Sequence, residues 1–553
     1  MKRSILAICC VIAWVVALVA PVLGEVSRES LASLIQAGNH NEALARIRAG
    51  ADVNEAQPDG TRPIHWAVYH LDYELLGVLL AKKAKVNVAN EFGSTPIAEA
   101  ANLGDARMVK MLLDAGAEPE GANTDGQTAL MLAINTGQLP VVEMLIKAGA
   151  NVNRIEEFRK QTPLMWAATA PRNAGEMVKL LLSKGADVRP RALYTDWPNQ
   201  ITSEPRAQYR PVGGLTALLY AARDGCYDCV DALIGAGAAV NVPTPEGVTA
   251  LMLALDNQHN EVAKLLLDRG ANPNVWDWWG RTALFIVIDR REAALAPVRG
   301  RSGAVPVDSR DSDRPTVSHM EIINRLLAEG VDPNPQLNMH RPSRGGNSGR
   351  FGDPLLSTGC TPLLRATMGN DMEVVQALLA KGASPNINDM GFTAFLVAAG
   401  LGGGRGFGGQ AGASGVANIP LMDLLLQHGA DVNAQVTGTK TYSMRIARAP
   451  STYEGMSALH VAAQSGRADL VRYLLAKGAN ADLVDNNGHK PIDLVGISPA
   501  SGRSGTTPGG ASPAAAQLSA SEGRGGPAGG NSTTRATNVA EIRELLRDSV
   551  SRK

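Results

Sequence analysis

The sequence predicts an all-α solenoid of stacked helix-turn-helix repeats with β-turn fingers between them. The first observation is a recurring stretch, of which residues 125–153 (DGQTALMLAINTGQLPVVEMLIKAGANVN) are one full copy. The second is the spacing of the copies, about 33 residues, which is typical of repeat folds. A single unit of this size cannot bury its own apolar face, so the copies must stack to form a continuous core.

The composition excludes one class of partner. The chain has 553 residues, and its 53 Lys and Arg residues balance its 53 Asp and Glu residues. A balanced charge gives no whole-chain attraction to nucleic acid, so we expect no nucleic-acid partner.

Residues 1–24 predict a signal peptide. Lys2 and Arg3 precede an apolar run over residues 5–19, and we expect cleavage after Gly24. The run is shorter than the roughly 20 apolar residues of a membrane span. We therefore expect no membrane span after cleavage and a protein that acts in the periplasm or outside the cell. An uncleaved anchor is the alternative.

The opening of each repeat predicts a capped short helix. In most copies a Gly is followed by Thr-Pro or Thr-Ala one residue later, where the Thr hydroxyl suits the N-cap and Pro loses no needed hydrogen bond. Apolar residues such as Leu164 then face second-helix residues such as Leu181, and Gly185 suits a left-handed helix end. The aligned opening residues are Thr61, Thr95, Thr128, Thr162, Thr216, Thr249, Thr282, Thr361, Thr393, Ser457 and Lys490.

These openings resemble the ankyrin repeat. The resemblance is carried by GSTPIAEAA (93–101), KQTPLMWAA (160–168), GCTPLLRAT (359–367) and GMSALHVAA (455–463). It covers most of residues 25–546. It implies an ankyrin solenoid that binds other proteins through its concave face and its fingers.

The repeat boundaries predict the domain organisation. The two ends depart from the repeat pattern and are expected to cap the stack, and low-complexity residues near the C-terminus are expected to be disordered. The predicted segments are 1–24 (signal peptide), 25–58 (N-terminal capping repeat), 59–188 (repeats), 189–213 (insertion), 214–334 (repeats, with an insertion at 290–316), 335–358 (insertion), 359–433 (repeats, with a Gly-rich insertion at 401–418), 434–453 (insertion), 454–496 (repeats), 497–537 (disordered linker) and 538–553 (C-terminal capping helix).

Three insertions lie on the finger side of the repeats and carry unbalanced positive charge. They are 189–213, 335–358 and 434–453, whereas 290–316, 401–418 and 497–537 fall between the two helices of one repeat. Their basic residues are either ordinary solvated loop residues or an electropositive surface that attracts an acidic partner. These residues are Arg189, Arg191, Arg206, Arg210, Arg341, Arg344, Arg350, Lys440, Arg445 and Arg448.

The finger NVWDWWG (274–280) holds three of the seven Trp residues. Trp279 precedes the finger Gly, where Phe92 stands in another repeat, and we expect it to pack on its own repeat. Trp276 and Trp278 fall at positions that the ankyrin family usually leaves polar. They are either a recognition site for a partner, since Trp is enriched in binding hot spots, or a cover for neighbouring fingers.

Cys226 and Cys229 stand at the start of a second helix. They are either small side chains, one exposed and one buried, or a local disulfide, which an oxidising compartment favours. Haem attachment would need His at position 230, where Val stands. A redox enzyme would need a thioredoxin-type βαβ unit, which the sequence lacks. A disulfide would leave Cys360 as an exposed thiol.

The sequence contains no catalytic or metal-binding motif in the structural context that such a motif requires. The GxGxxG match at 404–409 follows a helix and not a strand, so it does not indicate a dinucleotide site. The resemblance implies that His65 and His460, at the fourth position of the repeat opening, make structural hydrogen bonds. No HExxH motif and no zinc-spaced Cys and His set occur. We therefore expect no cofactor, no metal and no enzymatic activity.

The resemblance implies a monomeric, non-catalytic scaffold for one or more proteins. The candidate partner-binding residues are the two Trp residues named above and the basic residues of the finger-side insertions other than Arg350. The alternatives are an accessory or protective partner of a periplasmic enzyme, a binder of an anionic envelope polymer, and an enzyme whose site lies in the insertions. A turnover assay separates the last from the others.

Overall fold

The computed structural model describes residues 29–195, 212–295, 316–337, 359–388, 391–401, 416–437, 442–443, 446–447, 453–497 and 532–551. The prediction of a signal peptide at residues 1–24 lies outside this part of the chain. Within the described residues, no helix combines the length and the apolar character needed to cross a membrane.

Short helices follow one another in pairs, and the prediction of an all-α repeat fold is confirmed. In chain order the pairs are α1 (Leu31–Gln36) and α2 (His40–Arg48), α3 (Pro63–Tyr69) and α4 (Tyr73–Ala81), α5 (Pro96–Leu103) and α6 (Ala106–Asp114), α7 (Ala129–Thr136) and α8 (Leu139–Lys147), α9 (Pro163–Ala168) and α10 (Ala174–Ser183), α11 (Ala217–Asp224) and α12 (Tyr227–Gly235), α13 (Ala250–Asp256) and α14 (Asn260–Asp268), α15 (Ala283–Leu295) and α16 (His319–Ala328), α17 (Pro362–Gly369) and α18 (Met372–Ala380), α19 (Ala394–Ala398) and α20 (Ile419–Gln427), α21 (Ala458–Gln464) and α22 (Ala468–Ala476), and a 3₁₀ helix (Pro491–Leu494) with α23 (Ser532–Ser551).

Two antiparallel ribbons of two residues per strand also occur in the described residues. In the first, β1 (Tyr194–Thr195) pairs with β2 (Val212–Gly213), with Tyr194 opposite Gly213. In the second, β3 (Tyr442–Ser443) pairs with β4 (Ile446–Ala447). Both ribbons belong to finger-side insertions.

The first helix of most repeats begins with the predicted Thr cap. The Thr95 hydroxyl accepts from the Ala98 amide at 3.3 Å, and the Thr361 hydroxyl from the Leu364 amide at 3.1 Å. The alignment at Thr61 is wrong by one residue. Pro63 fixes the first helical position, so Arg62 is the N-cap. Thr61 lies outside the helix and its hydroxyl donates to Asp59 at 2.9 Å.

The second helix of most repeats is followed by a Gly with positive φ, whose place Lys83 takes after α4, and in most repeats an Asn stands four residues later. Gly185 has a φ of 82°, the predicted left-handed helix end. The Asn153 side chain donates to the Gly185 carbonyl at 2.9 Å and accepts from the Asp187 amide at 2.8 Å. Asn241 makes the same two bonds to Gly270 and Asn272, at 3.0 and 2.7 Å. The recurring Asn therefore satisfies the helix-end carbonyl of the next repeat.

The chain divides into two compact units, residues 1–133 with 140–150 and residues 134–139 with 151–553. In the first unit α3 packs between α1 and α5, and in the second unit α11 packs between α9 and α13. Fully buried Ala, Leu, Val and Ile side chains fill the core of each unit. This continuous local packing is the stacking that the repeat period predicts.

Two of the predicted segment limits differ from the ends of the described helices. Helix α15 continues to Leu295, so the insertion predicted to begin at residue 290 begins later. The reason is that Arg290 and Glu292 are buried among charged partners. Helix α23 begins at Ser532 and not at residue 538. Residues 491–494, read from the sequence as a helix, form a single 3₁₀ turn.

The finger Gly455 should be intolerant of any side chain. Its φ is 80°, and a Cβ added there would lie 2.5 Å from the backbone nitrogen of Asn486. We expect Gly455→Ala to lower the free energy of unfolding by about 2–4 kcal/mol, measured by urea denaturation. Gly478→Ala is the control, because its φ is 90° but no atom lies within 4 Å of the added Cβ. Equal losses in both variants would contradict the clash.

Candidate functional site

Exposed apolar side chains lie on three of the four fingers between α8 and α15 in the second unit. The fingers lie between α8 and α9, α10 and α11, and α14 and α15. We call the exposed apolar set the finger surface. Its members are Ile155, Phe158, Leu193, Tyr194, Trp276 and Trp278.

A buried carboxylate shapes the finger that carries the two exposed Trp residues. Asp277 is 1% exposed, whereas Trp276 and Trp278 on either side of it are 67% and 38% exposed. The Asp277 Oδ1 accepts from the Trp279 amide at 3.0 Å and from the Arg281 amide at 2.9 Å. Asp277 thereby closes the turn, and the two indoles beside it remain in solvent.

Arg281 holds the underside of this finger. Its Nε donates to Asp277 Oδ2 at 2.7 Å, and its Nη1 lies 3.4 Å from Asp256 Oδ1. The guanidinium also lies 5.3 Å from the ring centroid of Trp279, which is buried as predicted. Burial raises the pKa of Asp277, and the charge of Arg281 opposes that rise. The finger is therefore anchored by a desolvated ion pair.

Hydrogen bonds join these fingers to their neighbours. The Leu193 amide donates to the Arg159 carbonyl at 2.7 Å, and the Trp278 amide donates to the Glu246 carbonyl at 2.8 Å. The Arg191 guanidinium donates to the Gly214 carbonyl at 3.2 Å and to the Pro243 carbonyl at 2.9 Å. The finger surface is consequently carried by connected backbone segments and not by independent loops.

The finger that carries Phe158 also carries three positive side chains. Arg154, Arg159 and Lys160 are exposed, and Glu157 is the exposed acidic residue of the same finger. The Arg159 guanidinium lies 5.8 Å from the centroid of the Phe158 ring. Glu156 is buried and accepts from backbone amides of its own turn. This finger therefore combines exposed apolar area with net positive charge.

Two of the predicted basic residues, Arg189 and Arg191, differ in their exposure and in their contacts. Arg189 is exposed, and its Nε lies 2.9 Å from Asp187, a neighbour that the predicted charge balance left out. Arg191 is half-buried and donates to two carbonyl oxygens, so it holds the insertion in place. The remaining basic candidates lie outside the described residues; they are Arg206, Arg210, Arg341, Arg344, Arg350, Lys440, Arg445 and Arg448.

Sequence reasoning missed four members of the finger surface. Ile155, Phe158, Leu193 and Tyr194 are exposed but were not singled out. A signal for one of them was present. Phe158 stands two residues before the positive-φ residue of its finger, as Trp278 stands two residues before Gly280. In the finger of Phe158 the positive-φ residue is a Lys and not a Gly, which hides the alignment.

A second charged cluster lies at the end of α15. Arg365 Nε lies 2.9 Å from Asp289 Oδ1, and Arg291 Nε lies 2.6 Å from Asp371 Oδ2. Glu292 is buried beside them, and its Oε1 has no hydrogen-bond partner among the described residues. Burial raises the pKa of Glu292 to about 7; the negative charge of Asp371 adds to the rise and Arg365 opposes it.

The structure joins Cys226 and Cys229 in a disulfide with a Cα–Cα distance of 5.3 Å. Cys226 is half-buried and Cys229 is fully buried. The expectation of an exposed thiol at Cys360 is wrong, since Cys360 is 0% exposed. Cys360 follows the finger Gly359, and the residue after this Gly faces inward here.

The two repeat-opening His residues make the structural bonds that the resemblance implies. His65 Nδ1 accepts from the Arg62 amide at 3.1 Å, and His460 Nδ1 accepts from the Ser457 amide at 3.1 Å. Burial lowers the pKa of both residues. In the described part of the chain, no group of three or more His, Cys, Asp or Glu side chains is placed to hold a metal ion.

Comparison with known families covers most of these repeats. The description "Ankyrin repeats (3 copies)" matches residues 31–123, 99–192, 200–277 and 218–295. "Ankyrin repeats (many copies)" matches residues 451–495, and "Ankyrin repeat" matches residues 358–390. Together these matches cover more than half of the chain. The chain belongs to the ankyrin-repeat family. Ankyrin repeats generally serve as non-catalytic scaffolds that bind other proteins.

This ankyrin-repeat protein is also similar to parts of two larger proteins. It is 29% identical over 182 residues to the mitochondrial disaggregase of Homo sapiens, a match that covers 32% of this chain and 23% of that protein. It is 29% identical over 136 residues to alpha-latrocrustotoxin-Lt1a of Latrodectus tredecimguttatus, covering 25% of this chain and 8% of the toxin. The chain therefore spans less than a quarter of the length of each relative.

Proposed function

We propose that this ankyrin-repeat protein is a non-catalytic scaffold that binds another protein through the finger surface. The observation that carries the proposal is the pair of exposed indoles, Trp276 and Trp278, on a finger held by the buried Asp277. Indole side chains bury a large area at little entropic cost, so they are favoured as binding anchors. A pre-organised finger further lowers the cost of binding.

The partner we propose is acidic where it meets Arg154, Arg159 and Lys160. We place the protein in the periplasm or outside the cell, on the basis of the predicted signal peptide, and as a monomer. The proposed role extends to that of an accessory or protective partner of a periplasmic enzyme. An anionic envelope polymer would use the same positive charges but would have less use for the exposed indoles.

Site-specific photocrosslinking tests the proposal directly. A photoreactive amino acid at Tyr194 samples the finger surface, and the same amino acid at Val416 samples an exposed site between α19 and α20. We expect a discrete crosslinked protein from Tyr194 in the native envelope fraction and none from Val416. Equal crosslinking from both positions, or none from Tyr194, would contradict binding at the fingers.

The positive charges of the Phe158 finger should speed association. We expect the triple variant Arg154→Gln, Arg159→Gln, Lys160→Gln to bind the crosslinked partner with a several-fold lower association rate and little change in dissociation. The difference should shrink at high salt, because exposed charges are screened beyond roughly 8 Å at physiological ionic strength. Surface plasmon resonance at two salt concentrations measures both rates. Unchanged association would contradict an acidic partner.

A further inference from the structure

The disulfide lies at the first turn of α12, with its outer sulfur at the helix N-terminus. Cys226 is the N-cap residue, and its Sγ accepts from the Cys229 amide at 3.3 Å. Cys226 is half-buried, whereas Cys229 is fully buried against the core. Of the two cysteines, Cys226 is therefore the one with surface open to an attacking thiol.

The fold does not require a disulfide at this place. The second helices α4, α6 and α18 begin with Asp72, Asp105 and Asp371, whose carboxylates cap the same turn. The residue three positions later is apolar in each of these helices, as Met108 is in α6. A crosslink across so short a loop also removes little chain entropy. The two cysteines give the first turn of α12 a capacity for thiol–disulfide exchange, which the first turns of α4, α6 and α18 lack.

The position of Cys226 at the N-terminus of α12 is of a kind that stabilises a thiolate. The helix N-terminus stabilises negative charge, and cysteines in that position have lowered pKa values in general. The carboxylate of Asp228, in the same turn, acts in the opposite direction. A disulfide whose reduced form is stabilised as a thiolate is easier to reduce.

We propose that Cys226–Cys229 is a redox-active disulfide that exchanges with the dithiol of another protein. The partner's thiolate attacks the Cys226 sulfur and forms a mixed disulfide, and the bond to Cys229 breaks. The Cys229 thiolate leaves and takes up a proton. The partner's second thiolate then attacks the partner's first sulfur, which is bonded to Cys226. The mixed disulfide breaks and the Cys226 thiolate is released. The partner loses two electrons and becomes a disulfide, and Cys226 and Cys229 are reduced.

This exchange needs no thioredoxin-type sheet. The βαβ unit of thioredoxin-like enzymes presents a cysteine pair at a helix start, and here the helix pair of a repeat presents Cys226 in the same local setting. The exchange is stoichiometric, so it is compatible with a scaffold that does not turn over substrate. It also stands on residues distant in sequence from the Trp finger, and either proposal can fail alone.

The dithiol–disulfide equilibrium distinguishes a redox-active disulfide from a structural one, because folding shifts it in opposite directions in the two cases. The full-length protein is equilibrated with reduced and oxidised glutathione at graded ratios, once folded and once in denaturant, and the thiols are counted by peptide mass spectrometry. A structural crosslink must be harder to reduce in the folded chain, by linkage to folding. We expect the opposite, a shift of at least ~10-fold toward the dithiol on folding. A shift toward the disulfide, or no shift, would overturn the proposal.

Single-cysteine variants identify the attacked sulfur. We expect Cys229→Ala to form a mixed disulfide with oxidised glutathione at Cys226 at least ~10-fold faster than Cys226→Ser forms one at Cys229. Serine keeps a cap at position 226, as Ser318 caps α16. The buried Cys360 is an internal control for folding, because it should remain unmodified in both variants. Equal rates at the two cysteines with Cys360 unmodified would overturn the assignment of Cys226.

Discussion

Replacing Asp277 by Ala should lower the free energy of unfolding by about 3 kcal/mol. The variant removes two backbone hydrogen bonds and the ion pair to Arg281, and it leaves a buried guanidinium with Asp256 at 3.4 Å. Removing one partner of a buried ion pair typically costs 3–5 kcal/mol, because the other charge remains desolvated. Urea denaturation of the wild type and the variant measures the difference.

Another finger of the same chain supplies a matched control. Asn123 and Gln127 occupy the places of Asp277 and Arg281. The side-chain Nδ2 of Asn123 donates to Gln127 Oε1 at 3.0 Å. The double variant Asp277→Asn, Arg281→Gln should therefore recover most of the stability that Asp277→Ala loses. If the double variant were as unstable as Asp277→Ala, the loss would not come from an unpaired charge.

Replacing Glu292 by Gln should stabilise the protein at pH 8 and have a much smaller effect near pH 5. The folded-state pKa of Glu292 is raised to about 7 from an ordinary value of 4.5, chiefly by burial. The folded chain therefore binds the proton more tightly than the unfolded chain does. Its stabilising contribution is fully present below pH 4.5 and is lost as the pH rises through 7. Gln resembles the protonated acid, so we expect a gain on the order of 1–3 kcal/mol at pH 8.

Urea midpoints at pH 5 and pH 8 test this pH dependence. The groups that face Glu292 are Asp371, Arg365 and Arg291, together with Gly369, whose added Cβ would overlap the Glu292 carboxyl. Glu544→Gln in α23 is the control, because Glu544 is exposed. A gain that is equal at both pH values would contradict a titrating carboxyl at position 292.

Local chemistry explains what the sequence predicted well. Thr caps, helix-ending Gly residues and the 33-residue period depend on neighbours in sequence, so the helix pairs follow from the pattern. The error at Thr61 has the same origin. The repeat there carries Arg at the capping position, and the nearest Thr is one residue too early.

Contacts between residues distant in sequence explain what the sequence missed. Trp279 is buried as predicted, but Phe92 at the corresponding place is 60% exposed, so alignment with Phe92 was not a valid reason. The Arg281 guanidinium lies 5.3 Å from the Trp279 ring and is itself paired with Asp256, 25 residues earlier at the end of α13. Glu292 appears in the sequence as part of a charged helix end. Its burial depends on α17 and α18, more than 70 residues away.

The paired variant Trp276→Ser, Trp278→Ser tests binding by the finger surface most directly. The crosslinked partner is titrated against the wild type and the variant, and the melting temperature of each is recorded in the same buffer. We expect at least ~10-fold weaker binding with little change in the melting temperature, since Trp276 is 67% and Trp278 38% exposed. Trp279→Ala should instead lower the melting temperature, because Trp279 is 8% exposed. A fall of several degrees in the paired variant with binding intact would contradict a recognition finger.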